Sequence, residues 1–343
     1  MWPALSDEAT VLGDETWTFA DLLLLGIATG LVEEAESSTR RGLRALQQAE
    51  PGLSQDDLRS EAVAFRRARR LESGQDLRVW LAARELTIDD WEAHLRRSSA
   101  SREVRVTSGT AEGPGSEIDC RALAVDLACG GWWRRFADLA ARQWSAARLV
   151  GEEFEVADSE VSVEAARIMA EFEPLAALGE SRCIDRLRSI KAREHALEEA
   201  ARRCATAKAV EDRVLGHAGE WTELRFDELV LPSREAANEA LLCAREDGIG
   251  AADLAARARL PLLQHSARRD SLPLASATLL DGALADQPFG PVAHEGQWAV
   301  LWLRERRRPS LDDEALRATA AAELLDEALE RVGQGQIRQA EAL

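Results

Sequence analysis

Near its C-terminal end the chain carries the eleven residues QWAVLWLRERR, Gln297 to Arg307, and their alternation limits what it can fold into. In an extended strand Trp298, Val300 and Trp302 point to one side, with Ala299, Leu301 and Leu303 on the other. Large apolar side chains on both sides need cover on both, so this is expected to be a central strand with packed layers on either face. The same third of the chain supplies its partners. WTELRFDELVLPS reads as a strand, REAANEALLCAREDGIG as a helix closed by Gly248, and AADLAARARL as a second, shorter helix. SLPLASATLLDGALADQPFGPV is rich in turn formers, and a tight turn joins FGPV to the strong strand. SLDDEALRATAAAELLDEALERV is expected to be a terminal helix, with Ser310 and Asp313 at its start.

Upstream of about residue 215 the period changes from two to that of a helix. Thr18 has Asp21 three residues on, a capping signature that opens TFADLLLL after a short extended or turn element. Ser54 with Asp57 opens a second helix, and Thr87 with Asp90 opens DWEAHLRR. Leu77, Trp80 and Leu81 mark another helix between them. Apolar residues recur at i, i+3, i+4 and i+7 across these pieces, as amphipathic helices packed on one another require. SREVRVTSGTAEGPGSE (residues 101–117) breaks the period and is expected to be a linker. From 118 to about 215 the theme is expected to repeat: LAVDLACGGWWRRFADLAARQW parallels the first helix and VSVEAARIMAEFEPLAAL the second.

Charge narrows the function classes. The net charge is -18 over 343 residues, and no third of the chain is basic. Displacing counterions from nucleic acid needs a basic face, so no nucleic-acid partner is expected, and acidic lipid surfaces are disfavoured for the same reason. The longest apolar run, ADLLLLGIATGLV, is shorter than a membrane span needs. The chain does not open with a basic start followed by an apolar core, and its five cysteines are scattered and never in a CxxC pair. A cytoplasmic protein with free thiols and no membrane partner is expected. The five histidines form no metal-ligand spacing, and no phosphate loop or nucleophile elbow occurs, so neither metal nor cofactor is expected.

The segment ELVLPSREAANEALLCAREDGIGAADLAARA followed by FGPVAHEGQWAVLWLRERR resembles the parvulin-type peptidyl-prolyl isomerases, including the SurA-like chaperones. In that family the isomerase domain runs from an H-I-L-V strand through two helices to G-P-V, a turn and G-x-H-hydrophobic. VLGDETWTFADLL and FRRARRLESGQDLRVWLAARELTIDDWEAHLRR are similar to the family's helical chaperone part, and RRPSLDDEALRATAAAELL to the helix after the isomerase domain. The resemblance implies an α+β protein. A SurA-like helical domain over 1–105 and a second helical region over 118–215 would make the N-terminal two-thirds mainly helical. A small parvulin-like α/β domain with an antiparallel-rich sheet would follow over 220–308, and a C-terminal helix over 309–343.

The resemblance also shows where this chain departs. The family's two histidines fall on Glu228 and Trp298, and its G-G-D-L-G loop has no counterpart in LLQHSARRDSLPLAS. Lowering an amide-rotation barrier of about 18–20 kcal/mol needs a preorganised polar pocket, so no isomerase activity is expected. The chain resembles isomerase-related peptide-maturation proteins, such as the accessory protein of the crocagin pathway, which accompany ribosomally made, modified peptides. That implies a noncatalytic protein whose partner is a precursor peptide or other extended peptide, presented to a peptide-modifying enzyme. Two alternatives stay open: an active isomerase-chaperone with its site displaced to His265 or His294, and a docking partner of a biosynthetic enzyme.

Peptide-contact candidates in the sheet region are Phe226, Glu228, Phe289, Trp298 and Trp302, where indole and phenyl rings offer large contact area at little entropic cost. Each ring has a plain alternative as core. Trp132 and Trp133 are also candidates; being adjacent on a helix they cannot face the same way, so one is expected in the core and the other on a partner surface.

Overall fold

A computed structural model describes residues 5–48, 54–107, 120–172, 175, 178–294 and 296–339. In chain order the elements are β1 (Glu8–Leu12), β2 (Glu15–Thr18), α1 (Phe19–Ala28), α2 (Leu31–Gln48), α3 (Gln55–Ala68), α4 (Gly74–Ala82) and α5 (Ile88–Thr107). There follow α6 (Cys120–Cys129), α7 (Trp132–Val150), α8 (Asp158–Glu171), α9 (Glu180–Cys204), α10 (Ala207–Gly216), β3 (Glu223–Leu231), α11 (Arg234–Glu246) and α12 (Ala251–Ala258). Then come β4 (Leu262–Arg268), α13 (Leu274–Asp281), β5 (Pro288–His294), β6 (Gln297–Arg307), α14 (Glu314–Gly333) and β7 (Ile337–Gln339). The fold is α+β, mostly helical with two small antiparallel sheets. Two compact units form, residues 1–200 with 327–343 and residues 201–326. The chain leaves the first near the end of α9 and returns within α14.

In the helical unit the expected caps form. The Thr18 hydroxyl accepts from the Asp21 amide and the Asp21 carboxylate accepts from the Thr18 amide, starting α1. Thr87 with Asp90 caps α5 in the same manner, whereas the Ser54 hydroxyl caps α3 by accepting from the Asp56 amide and not from Asp57. Every residue of α1 but the last is buried, and Leu22 to Leu25 are fully so. A helix apolar all round must be a central one. It packs on α7, where Gly26 lets the Phe136 ring approach; a Cβ there would stand 2.8 Å from the ring. At the β1–β2 turn Gly13 takes φ +64°, and a Cβ would meet the Trp144 ring at 2.6 Å. β7 pairs with β1, closing the three-stranded sheet in the order β2-β1-β7.

Several expectations are corrected. One core runs from Ala9 to Ile190, so residues 1–105 and 118–215 do not form two domains with separate cores; a repeat of the kind expected would give each half its own. The linker does not begin at 101, because α5 continues through Thr107; no Gly or Pro interrupts it before Gly109. Residues 108–117 of that expected linker lie outside the described residues. LLQHSAR, to which the sequence assigned no element, is strand β4, and the turn-rich stretch contains α13. The C-terminal segment is more than a helix, since α14 is followed by β7.

In the second unit the sheet order is β4-β3-β6-β5, antiparallel throughout. β6 is interior, as its two apolar faces demand. Leu229, Leu231, Val300 and Trp302 pack with α11 and α12 on one face. Leu224, Phe226, Ala299, Leu301 and Leu303 pack with Leu280 of α13 on the other. Burying one such side chain contributes about 1.5–3 kcal/mol, so the two layers hold the sheet from both sides. The Asp313 carboxylate accepts from the Ala315 and Leu316 amides and caps α14.

Candidate functional site

The α13 face of the sheet gathers the chemistry. Phe226 and Glu228 alternate onto it from β3, and β4 sets His265 opposite Phe226 and Leu263 opposite Glu228. The imidazole of His265 stacks on the Phe226 ring, centroids 5.1 Å apart and planes 23° apart. Glu228 Oε2 lies 2.8 Å from His265 Nε2, but out of line for a hydrogen bond, so the contact is an ion pair only when the ring is protonated. The carboxylate is 8% exposed and the imidazole 38%. A carboxylate beside an accessible imidazole can take up or release one proton and can receive an amide N–H.

Trp298 does not join them. It pairs with Leu231 across β3 and packs on the α11 face, with the Arg234 guanidinium 5.2 Å from its ring. The thickness of the sheet therefore separates Glu228 from Trp298. The two positions matched to the family's histidines do not meet in this chain.

Of the remaining candidates, Phe289 is half-buried against the α13-face cluster, paired with Leu301. Phe226 and Trp302 are 5% and 2% exposed. Both are core residues, and buried rings offer a peptide no surface, which corrects their place among the contacts. Trp133 is likewise core, edge-on to Phe19 and Phe136, whereas Trp132 is half-buried under the Arg135 guanidinium. The side chain of His294 lies outside the described residues.

The two edges of the sheet differ. β5 carries Pro288 and Pro291 and slips register between Phe289 and Val292. Gly290 sits at the slip with φ +132°, where a Cβ would stand 2.8 Å from the Ala299 carbonyl oxygen. Prolines and a slip make a poor template for another strand. β4 runs seven residues without proline, pairs with β3 on one side and ends the sheet on the other. Its outer backbone groups are where an extended chain can add.

Sequence reasoning missed Asp227. This buried acid accepts from Arg304 at 2.8 Å, and the pairing holds the Arg304 guanidinium above its ordinary range. Its signal was an acid in the middle of an apolar strand, with a basic cluster at the end of another. Among the described residues no three His, Cys, Asp or Glu side chains gather as a metal ion needs, and no helix is long and apolar enough to cross a membrane.

No protein-family model and no curated protein matches the chain. Solved structures of the PrsA peptidyl-prolyl isomerases are similar to it. PrsA from Bacillus subtilis is 15% identical, over 60% of this chain and 88% of that one, with a TM-score of 0.22. Foldase protein PrsA from Streptococcus pneumoniae is 14% identical over 66% and 92%, with a TM-score of 0.28. PrsA peptidylprolyl isomerase from Bacillus anthracis is 13% identical over 59% and 95%, with a TM-score of 0.26. Likeness at this level assigns no residue a role.

Proposed function

We propose that this chain is a noncatalytic peptide-binding protein that takes up an extended, ribosomally made precursor peptide and presents it to modifying enzymes. The peptide adds to the sheet along β4, with His265 on that strand and Glu228 on the neighbouring β3. The observation that carries this reading is the unpaired, proline-free edge of β4 next to the Glu228–His265 contact. Its support from sequence is the replacement of both family histidines, by Glu228 and Trp298.

Affinity capture of the tagged chain from its producer, with mass spectrometry of small peptides, tests the reading. One gene-encoded peptide recovered near stoichiometry is the expected result. A synthetic copy N-methylated at alternate residues loses its main-chain donors on one edge and is expected to bind at least about tenfold more weakly. Equal binding by both forms removes strand addition from the account, and recovery of a protein partner alone favours docking of an enzyme.

The second reading is an isomerase with a displaced centre, and the 2.8 Å approach of Glu228 to His265 is what favours it. It requires faster cis-to-trans conversion of a proline tetrapeptide and its loss in H265A. Under the first reading the rate equals that without protein.

A further inference from the structure

The helical unit contains a cavity of about 470 Å³, within the range of small-molecule sites. One wall is apolar, with Phe65 and Leu95 buried and Trp132 half-buried. The opposite chemistry comes from Arg69, Arg97 and His94, with Ser38 and Ser101 also in the lining.

Most of the charge there is already matched. Arg97 donates to both oxygens of Asp126, at 2.6 Å and 3.1 Å, and His94 Nδ1 lies 2.8 Å from the same carboxylate. Arg135 pairs with Glu34 at 3.2 Å. Arg69 is different. Its Nη2 donates to the Cys129 carbonyl, its Nη1 makes a long 3.5 Å contact with the Phe65 carbonyl, and its plane lies 3.8 Å above the Phe65 ring. Among the described residues no carboxylate lies within ion-pair distance of it. Burial pulls its pKa below the ordinary guanidinium range, which means the charge is held away from water without an opposite charge beside it. The neighbouring Cys129 thiol does not supply that charge, because burial pushes it up to about 12.

We propose that this cavity binds the carboxylate of a small organic acid with an aromatic body, Arg69 holding the charge and Phe65 and Trp132 flanking the ring. A guanidinium fork fits a planar carboxylate, and Arg69 uses only two of its five donors on the carbonyls named. A phosphate dianion fits less well, since Asp126 and Glu61 line the same space and repel the second charge.

The test uses the intact chain with 4-fluorobenzoate as probe, followed by fluorine NMR. A dissociation constant below about 1 mM is expected, with 4-fluorobenzamide at least about tenfold weaker. Two variants localise the binding. R69M removes the charge, and A64W, at an exposed position on the rim, blocks the mouth without touching the core. Both are expected to bind at least about tenfold more weakly. If R69M does not fold, A64W decides. No binding of fluorobenzoate, equal binding of the amide, or wild-type binding by A64W overturns the proposal. Inorganic phosphate displacing the probe as well as benzoate does would overturn the requirement for an aromatic body. Displacement by N-acetylphenylalanine assigns the site to the end of a peptide chain, and failure to displace assigns it to a free acid; both keep the carboxylate.

Discussion

Buried carboxylates are gripped in both units, but one in the sheet unit has an imidazole neighbour that is out of line with it. In the helical unit Asp126 is gripped by Arg97 and His94, and the fully buried Asp21 by Arg182 and Arg186 at 3.1 Å each. In the sheet unit Asp227 is gripped by Arg304, while the imidazole beside Glu228 is misaligned and more than a third exposed. A gripped carboxylate is part of the scaffold, whereas an accessible imidazole that is out of line with its carboxylate can be reached by another group. That difference sets the ion pairs of Asp21, Asp126 and Asp227 apart from the His265 contact on the sheet face.

Breaking the grip gives the largest expected effect. R97M leaves Asp126 buried with one partner fewer and is expected to destabilise the helical unit by about 3–5 kcal/mol. Segment-resolved hydrogen exchange in urea reads it unit by unit, and a loss under about 1 kcal/mol would erase the contrast. Next comes acid. Burial disfavours the charged forms of Asp126 and Asp90, but hydrogen bonds outweigh it, from His94 and Arg97 to the first and from Arg121 and Thr87 to the second. Asp90 falls from an ordinary 3.8 to about 2. A depressed carboxylate contributes stability that is complete above its unfolded pKa and lost as pH falls through the folded one, so the helical unit is expected to weaken between about pH 4 and pH 2. D90N should flatten that part of the curve in an acid titration followed by circular dichroism.

Smaller still is the cap. T18A deletes the hydroxyl half of the α1 capping box and is expected to cost about 1 kcal/mol by thermal melting. The least effect is expected on the sheet: E228Q keeps the shape and one accepting oxygen of the side chain and should change stability by less than about 1 kcal/mol, because the imidazole beside it is misaligned and more than a third exposed. If E228Q proves as costly as R97M, Glu228 is scaffold and the proposed peptide face loses its adjustable group.

Thr18, Ser54 and Thr87 were legible as caps because capping acts within three residues. The two covered faces of β6 were legible from alternation alone. β4 was not, because LLQHSAR carries its strand character only as a partner to β3, and its polar, exposed positions give no period. Of the candidate site, the rings were legible as rings but not as core or surface; Trp132 and Trp133 differ in burial because α7 turns one of them toward Phe19.

By itself, then, the sequence determined where the capped helices start, which strand is central, and that no third of the chain is basic, since these follow from neighbours, period and composition. Only the tertiary structure decided that one core joins residues 9 to 190, that β7 returns to β1, that Glu228 and Trp298 lie on opposite faces, and that Arg69 faces a cavity with its charge unmatched. Each of these depends on contacts between residues tens to hundreds of positions apart. Such contacts are selected by how whole faces pack, and no local pattern encodes them.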